Sequence, residues 1–183
     1  LEGSRGGSWR LDAQADQLLN TVSVPMVAAI IAVVVLIGAL RGRWVAAIAA
    51  AVAVAGANLT TQALKYRVFE RDDLLGLGGW NSTNTLPSGH TTVAAAGLVG
   101  LILVAPPSLR SVTTAFGVIG VSAYGFATLV NHWHRPSDVA AAVLVASGWG
   151  YLGVAAIRIA DRTGRVRDRA HRPGATSVIL VML

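Results

Sequence analysis

The sequence predicts an all-α fold, a polytopic membrane helical bundle with five transmembrane helices, and three observations carry that expectation. Hydrophobic residues make up 54% of the 183 residues and charged residues only 13%, with a mean hydropathy of +0.58. Soluble domains carry about 25% charge. The charge is missing from five long runs, Gln17–Leu40, Trp44–Leu64, Thr91–Leu109, Ser111–Asn131 and Val139–Ile157. Each is close to the roughly 20 residues a helix needs to cross a hydrocarbon core. None of the runs alternates polar and apolar residues as barrel strands do. In lipid every backbone N–H and C=O must be satisfied within the segment, so such runs form helices. A large water-soluble helical core is the competing reading, and five consecutive uncharged runs weigh against it.

The connections set the orientation. Arg41 and Arg43 separate the first two runs, Arg110 separates the third and fourth, and six arginines crowd Arg158–Arg172 after the fifth. If helices alternate in direction, these three places share one side, which the positive-inside rule makes cytoplasmic. The chain then divides into an extracytoplasmic N-terminal segment (1–20), a transmembrane domain (21–157) and a basic cytoplasmic tail (158–183). Leu1–Arg10 lack the order of a signal peptide and read as the interior of a longer protein or as an artificial start. Small residues in Ala49–Ala57 and Ala94–Gly100 suit close helix packing, although lipid-facing filler reads the same. Trp80 and Trp133 fit an outer aromatic belt.

A net charge of +6 and a pI near 11.0 would suit a nucleic-acid partner. The arginines directly after an apolar run are explained more simply as a membrane anchor, so the expected partners are the lipid bilayer and a membrane substrate. The chain has no cysteine, which excludes disulfides and thiolate metal sites.

Two outer connections hold the chemistry-bearing residues. His90, His132 and His134 fall there with Lys65, Arg71 and Asp138, and ionisable groups at a bundle's membrane level are functional candidates. In Leu86-Pro87-Ser88-Gly89-His90-Thr91-Thr92, Pro87 fixes the start of a helix and Ser88 suits its cap. Gly89 leaves its N–H open to close approach, and a helix start attracts anions. An ordinary cap explains these residues equally well; His90 adds a proton donor beside it. In His132-Trp133-His134-Arg135-Pro136-Ser137-Asp138, Ser137 or Asp138 can cap the next helix. The functional reading is that Asp138 accepts the N–H of one His134 nitrogen, fixing the tautomer and freeing the other to attack. Pro136 argues for a compact turn between them.

Pro87-Ser88-Gly89-His90 and His134-Arg135-Pro136-Ser137-Asp138-Val139 resemble the second and third motifs of the type 2 phosphatidic acid phosphatase superfamily, whose pattern is K-x(6)-R-P, P-S-G-H and S-R-x(5)-H-x(3)-D. The resemblance covers Lys65 to Asp138. It implies a bundle that usually has six spans, one more than the five expected here. It also implies His134 as phosphoryl nucleophile oriented by Asp138, and His90 as the acid that protonates the leaving group and then activates water. Lys65, Ser88 and Gly89 would hold phosphate oxygens, and no metal or other cofactor is called for. The implied substrates are membrane lipid phosphates, among them phosphatidic acid, phosphatidylglycerol phosphate and polyprenyl phosphates or pyrophosphates.

The chain departs from that pattern twice. Counting from Lys65, the first-motif Arg-Pro falls on Asp72-Asp73, with Arg71 one residue early. The third-motif Ser-Arg falls on Ala127-Thr128. Threonine has one hydroxyl where arginine has a bidentate fork. Losing two donors removes several kcal/mol of transition-state stabilisation at about 2–4 each. Arg67, Arg71, Arg135 and His132 are the candidates to compensate, with Thr128 as an auxiliary group, although snorkelling explains Arg67 more simply. Two other functions fit the same residues: a headgroup phosphotransferase with an alcohol as acceptor, and a weakened lipid-phosphate-binding protein.

Overall fold

In the computed structural model, which describes residues 8–20, 22–69 and 84–163, the regular elements are all helical. The first apolar run is not one helix. Helix α1 (Ser8–Leu19) stops, and α2 (Val24–Leu40) restarts after Ser23 with Pro25 in its first turn. Proline is tolerated there because first-turn N–H groups have no intrahelical acceptor. Inside a continuous Gln17–Leu40 helix its ring would clash with the preceding turn, so the expected span divides.

Helix α3 (Trp44–Ala63) follows a turn in which Gly42 has φ 66°, and it runs into one π-helical turn at Leu64–Val68. Helix α4 (Gly89–Val104) ends ahead of Pro106 and Pro107, which cut the Thr91–Leu109 run short. A 3-10 turn at Pro107–Leu109 leads into α5 (Arg110–Val130), and α6 (Pro136–Arg162) has proline at its first position.

Among the described residues, three segments are long and apolar enough to cross a membrane, Trp44–Val68, Pro107–Val130 and Pro136–Arg162. The other two apolar helices are shorter, 17 residues in α2 and 16 in α4. At about 1.5 Å per residue α4 falls short of the roughly 30 Å core. Its position makes this workable. It packs against α2, α3, α5 and α6, and Thr85, Pro87, Ser88 and Ala105 flanking it are buried. Irregular backbone at membrane depth is tolerated when protein covers it.

Most small residues of α3 face inward. Ala46, Ala50, Ala53 and Ala57 of α3 are buried in clusters with residues of α4 and α6. A Cβ on Gly56 would stand 2.6 Å from the Trp149 ring, so glycine is what lets this indole lie against α3. Its Nε1 donates a 3.0 Å bond to Thr60 Oγ1. Outward, Ile48, Leu59, Phe116, Ile119, Phe126 and Leu144 are exposed, an apolar surface suited to lipid. Helix α1 lies on the last turns of α5: Ala15 and Leu19 pack with Ala127, and Asn131 Nδ2 donates a 2.5 Å bond to Asp16 Oδ1.

The chain order brings the ends of α3 and α5 to the starts of α4 and α6. At the opposite end Arg43, Arg110 and Arg158 line one cavity, so the arginine positions do share a side. Arg71, Asp72, Asp73, Trp80 and most of the basic tail (164–183) lie outside the described residues.

Candidate active site

The Pro136 start of α6 determines how His134 meets Asp138. His134 precedes the helix, Arg135 is the cap position and Asp138 is the third helical residue. The carboxylate folds back so that Oδ2 accepts the Arg135 backbone N–H at 3.0 Å, which satisfies a helix-start donor. The same oxygen lies 3.3 Å from His134 Nδ1. The compact turn expected from Pro136 is present, and Asp138 rather than Ser137 serves the helix start, with Ser137 Oγ 3.3 Å from Oδ1. Both members are buried, His134 at 8% exposure and Asp138 at 1%. The two groups stand at ion-pair distance.

The contacts of two further residues were not legible beforehand. Thr85 Oγ1 donates a 2.6 Å bond to Asp138 Oδ2. Asn84 Nδ2 donates 2.9 Å bonds to the carbonyls of Lys65 and Phe69, tying the approach to α4 onto the end of α3. Thr85 and Asn84 sit in a polar stretch whose composition marks only a loop, and no spacing rule connects either to its partner.

Ser88 joins the two motif segments. Its backbone N–H donates a 3.0 Å bond to the Asp138 carbonyl. Its side chain caps α4 as expected, accepting from Thr91 N at 3.4 Å and from Thr91 Oγ1 at 3.1 Å. Ser88 is fully buried, so it shapes the helix start from within. Gly89 is open: nothing lies within 4 Å of where a Cβ would stand. The first N–H groups of α4 have no intrahelical acceptor, and together with the helix dipole such an end favours negative charge.

His90 follows directly. Its ring centroid is 6.3 Å from that of His134 at 64°, and 5.5 Å from that of Trp133, which walls the space. Hydrogen bonds of about 3 Å from each ring would span that gap across one tetrahedral group. Lys65, half-buried on the π-helical turn, is near enough for its charge to act on both imidazoles. π-helical turns of this kind recur at functional sites. Burial holds the His134 imidazole below its ordinary range. The hydrogen bond His134 donates to Asp138 opposes this, Lys65 adds to it, and the Asp138 charge and the Thr85 backbone oppose it.

The remaining candidates divide. Thr128 is fully buried, its Oγ1 donates to the Gly125 carbonyl at 2.7 Å, and its own carbonyl accepts the N–H groups of Trp133 and His134. It secures the histidine loop, and its hydroxyl proton is already committed. His132 is exposed with φ 57°, a left-handed conformation in which histidine is enriched, and it forms the turn. Arg135 is half-buried beside the pair, and Arg67 is exposed. No three His, Asp or Glu side chains gather as a metal-ligand set among the described residues.

Fold and site together define a helical membrane protein that holds a histidine paired with an aspartate and a second imidazole at the start of a helix. The PAP2 superfamily profile matches residues 46–161, from the first turn of α3 to the last of α6, and the chain belongs to that superfamily. No curated protein and no solved structure matches it. Members of the superfamily are phosphatases, which makes this chain a phosphoester hydrolase in general terms.

Proposed function

We propose that the protein is a metal-independent lipid phosphatase of the cell membrane, acting at its extracytoplasmic face through a phosphohistidine. The observation that carries this reading is the His134 Nδ1–Asp138 Oδ2 contact facing His90 across the start of α4. With Nδ1 engaged, the Nε2 lone pair attacks phosphorus and the P–O ester bond breaks. His90 gives its proton to the departing oxygen. His90 then removes a proton from water, whose oxygen displaces Nε2, releasing phosphate and neutral His134. Lys65 and the Gly89 N–H stabilise charge on the phosphoryl oxygens. The lipid substrate is supported by the apolar exterior beside the site: a headgroup enters from the leaflet while its tails stay among the helices. The outward orientation is supported by Arg43, Arg110 and Arg158 gathering at the other end.

The test is phosphate release by purified protein from a panel of lipid phosphates, with and without EDTA, for the parent and His134→Ala. Release from at least one lipid monoester or diphosphate, unaffected by EDTA and abolished in His134→Ala, is expected. Activity surviving that substitution would overturn the assignment.

A further inference from the structure

At the end of the bundle away from the histidines, a cavity of about 300 Å3 opens among α3, α4, α5 and α6. Its walls combine Arg43 at the cap of α3, Arg110 at the start of α5, and Arg158 and Asp161 near the end of α6, over an apolar floor that includes Leu103 and Ile157. The arginines come from three separate parts of the chain, so only tertiary packing brings them together. Among the described residues none of the three lies within 4 Å of a carboxylate, Asp161 included. Three like charges thus share one cavity with a single acid.

We propose that this cavity binds the phosphate of an anionic phospholipid from the leaflet opposite the histidine end. Guanidinium forks match the oxygens of a phosphodiester and keep their charge in a partly apolar setting. Basic pockets between membrane helices suit anionic headgroups. The apolar floor favours a lipid over free phosphate, because it takes the glycerol and first methylene groups that a free ion lacks. The single negative charge of the bound lipid offsets part of the mutual repulsion of the arginines and ties α3, α5 and α6 together at this end.

Native mass spectrometry of the full chain released from mixed phosphatidylglycerol–phosphatidylcholine micelles reads this directly. Phosphatidylglycerol is a phosphodiester, so it offers no monoester for the histidine site. One phosphatidylglycerol retained in preference to phosphatidylcholine is expected, with Arg158→Gln weakening retention about fivefold. Arg41→Gln removes the same charge at the same end but outside the cavity, and a change below about twofold is expected. Asp161 is exposed, so Asp161→Asn leaves packing intact and should strengthen retention. Equal losses in Arg41→Gln and Arg158→Gln, or no gain in Asp161→Asn, would reduce the effect to general surface attraction and overturn the site. Displacement of the lipid by millimolar inorganic phosphate would reassign the cavity to a free anion. Loss of retention in His134→Ala would assign the bound lipid to the other end.

Discussion

Thr85 and Asp138 are 53 positions apart in the chain, and the threonine hydroxyl donates a 2.6 Å bond to the same carboxylate oxygen that meets His134 Nδ1. That oxygen also accepts the Arg135 N–H, so its position is set from three directions. Thr85 touches no reacting atom in the proposed scheme; it positions the group that positions the nucleophile. A hydrogen bond to a charged group contributes about 1.5–3 kcal/mol. Thr85→Val is therefore expected to lower kcat by roughly 10- to 100-fold with KM little changed, and Thr85→Ser to recover most of the loss. Steady-state kinetics on a lipid phosphate checks this; a rise in KM alone would show that Thr85 acts on substrate binding instead.

The environment of His134 sets a pH dependence. Its imidazole is held below the ordinary value of about 6.5, and the proposed nucleophile is the neutral ring. The acidic limb of kcat/KM is thus expected below pH 6.5, where a solvated histidine would already be protonated. Asp138 pulls in the opposite direction, so Asp138→Asn should move that limb to still lower pH while reducing the maximum rate through loss of the tautomer lock. A pH–rate profile of both proteins reads the sign. A limb that moves upward in the variant would contradict the electrostatics described.

How much of this was readable in advance follows from which residues act locally. Apolar runs need only their own composition to be placed in lipid, so the membrane helices were legible from Trp44–Leu64 or Ser111–Asn131 alone. The division between α1 and α2 was signalled by Pro25, but uniform lack of charge masked it. His134 and Asp138 lie on one short Pro-interrupted turn, so their contact could be inferred from spacing. Thr85 and Asn84 depend on packing between distant segments, of which one-dimensional patterns carry no trace; helix alternation put Arg43, Arg110 and Arg158 on one side, but only the packing makes a cavity of them. Thr128 shows the converse. Motif counting marks it as a lost arginine, whereas its hydrogen bonds show a residue built into the turn.

His90 and His134 are expected to separate kinetically. Without His134 no covalent intermediate forms. Without His90 the first step loses its acid and the second its base, each contributing about 10²–10⁴-fold. For a substrate with a good leaving group, such as an aryl phosphate, the first step needs little acid assistance. His90→Ala should then accumulate acid-labile, base-stable phosphoprotein that is absent in His134→Ala. Rapid quench with labelled substrate checks this. Label appearing in His134→Ala would move the nucleophile elsewhere.

Thr128→Arg tests whether the missing third-motif arginine can simply be restored. The position is fully buried, its hydroxyl donates to Gly125, and its carbonyl carries two N–H groups of the histidine loop. A guanidinium there must either bury a charge, at a cost of several kcal/mol, or push the turn outward and carry His134 with it. The expected result is a lower thermal midpoint in detergent and turnover below that of the parent. Thr128→Val keeps the volume and loses only the 2.7 Å bond, costing about 1 kcal/mol and leaving most activity. A gain in turnover on Thr128→Arg would mean that the turn can open to admit the fork, and that the threonine hydrogen bonds do not fix His134 in the working enzyme.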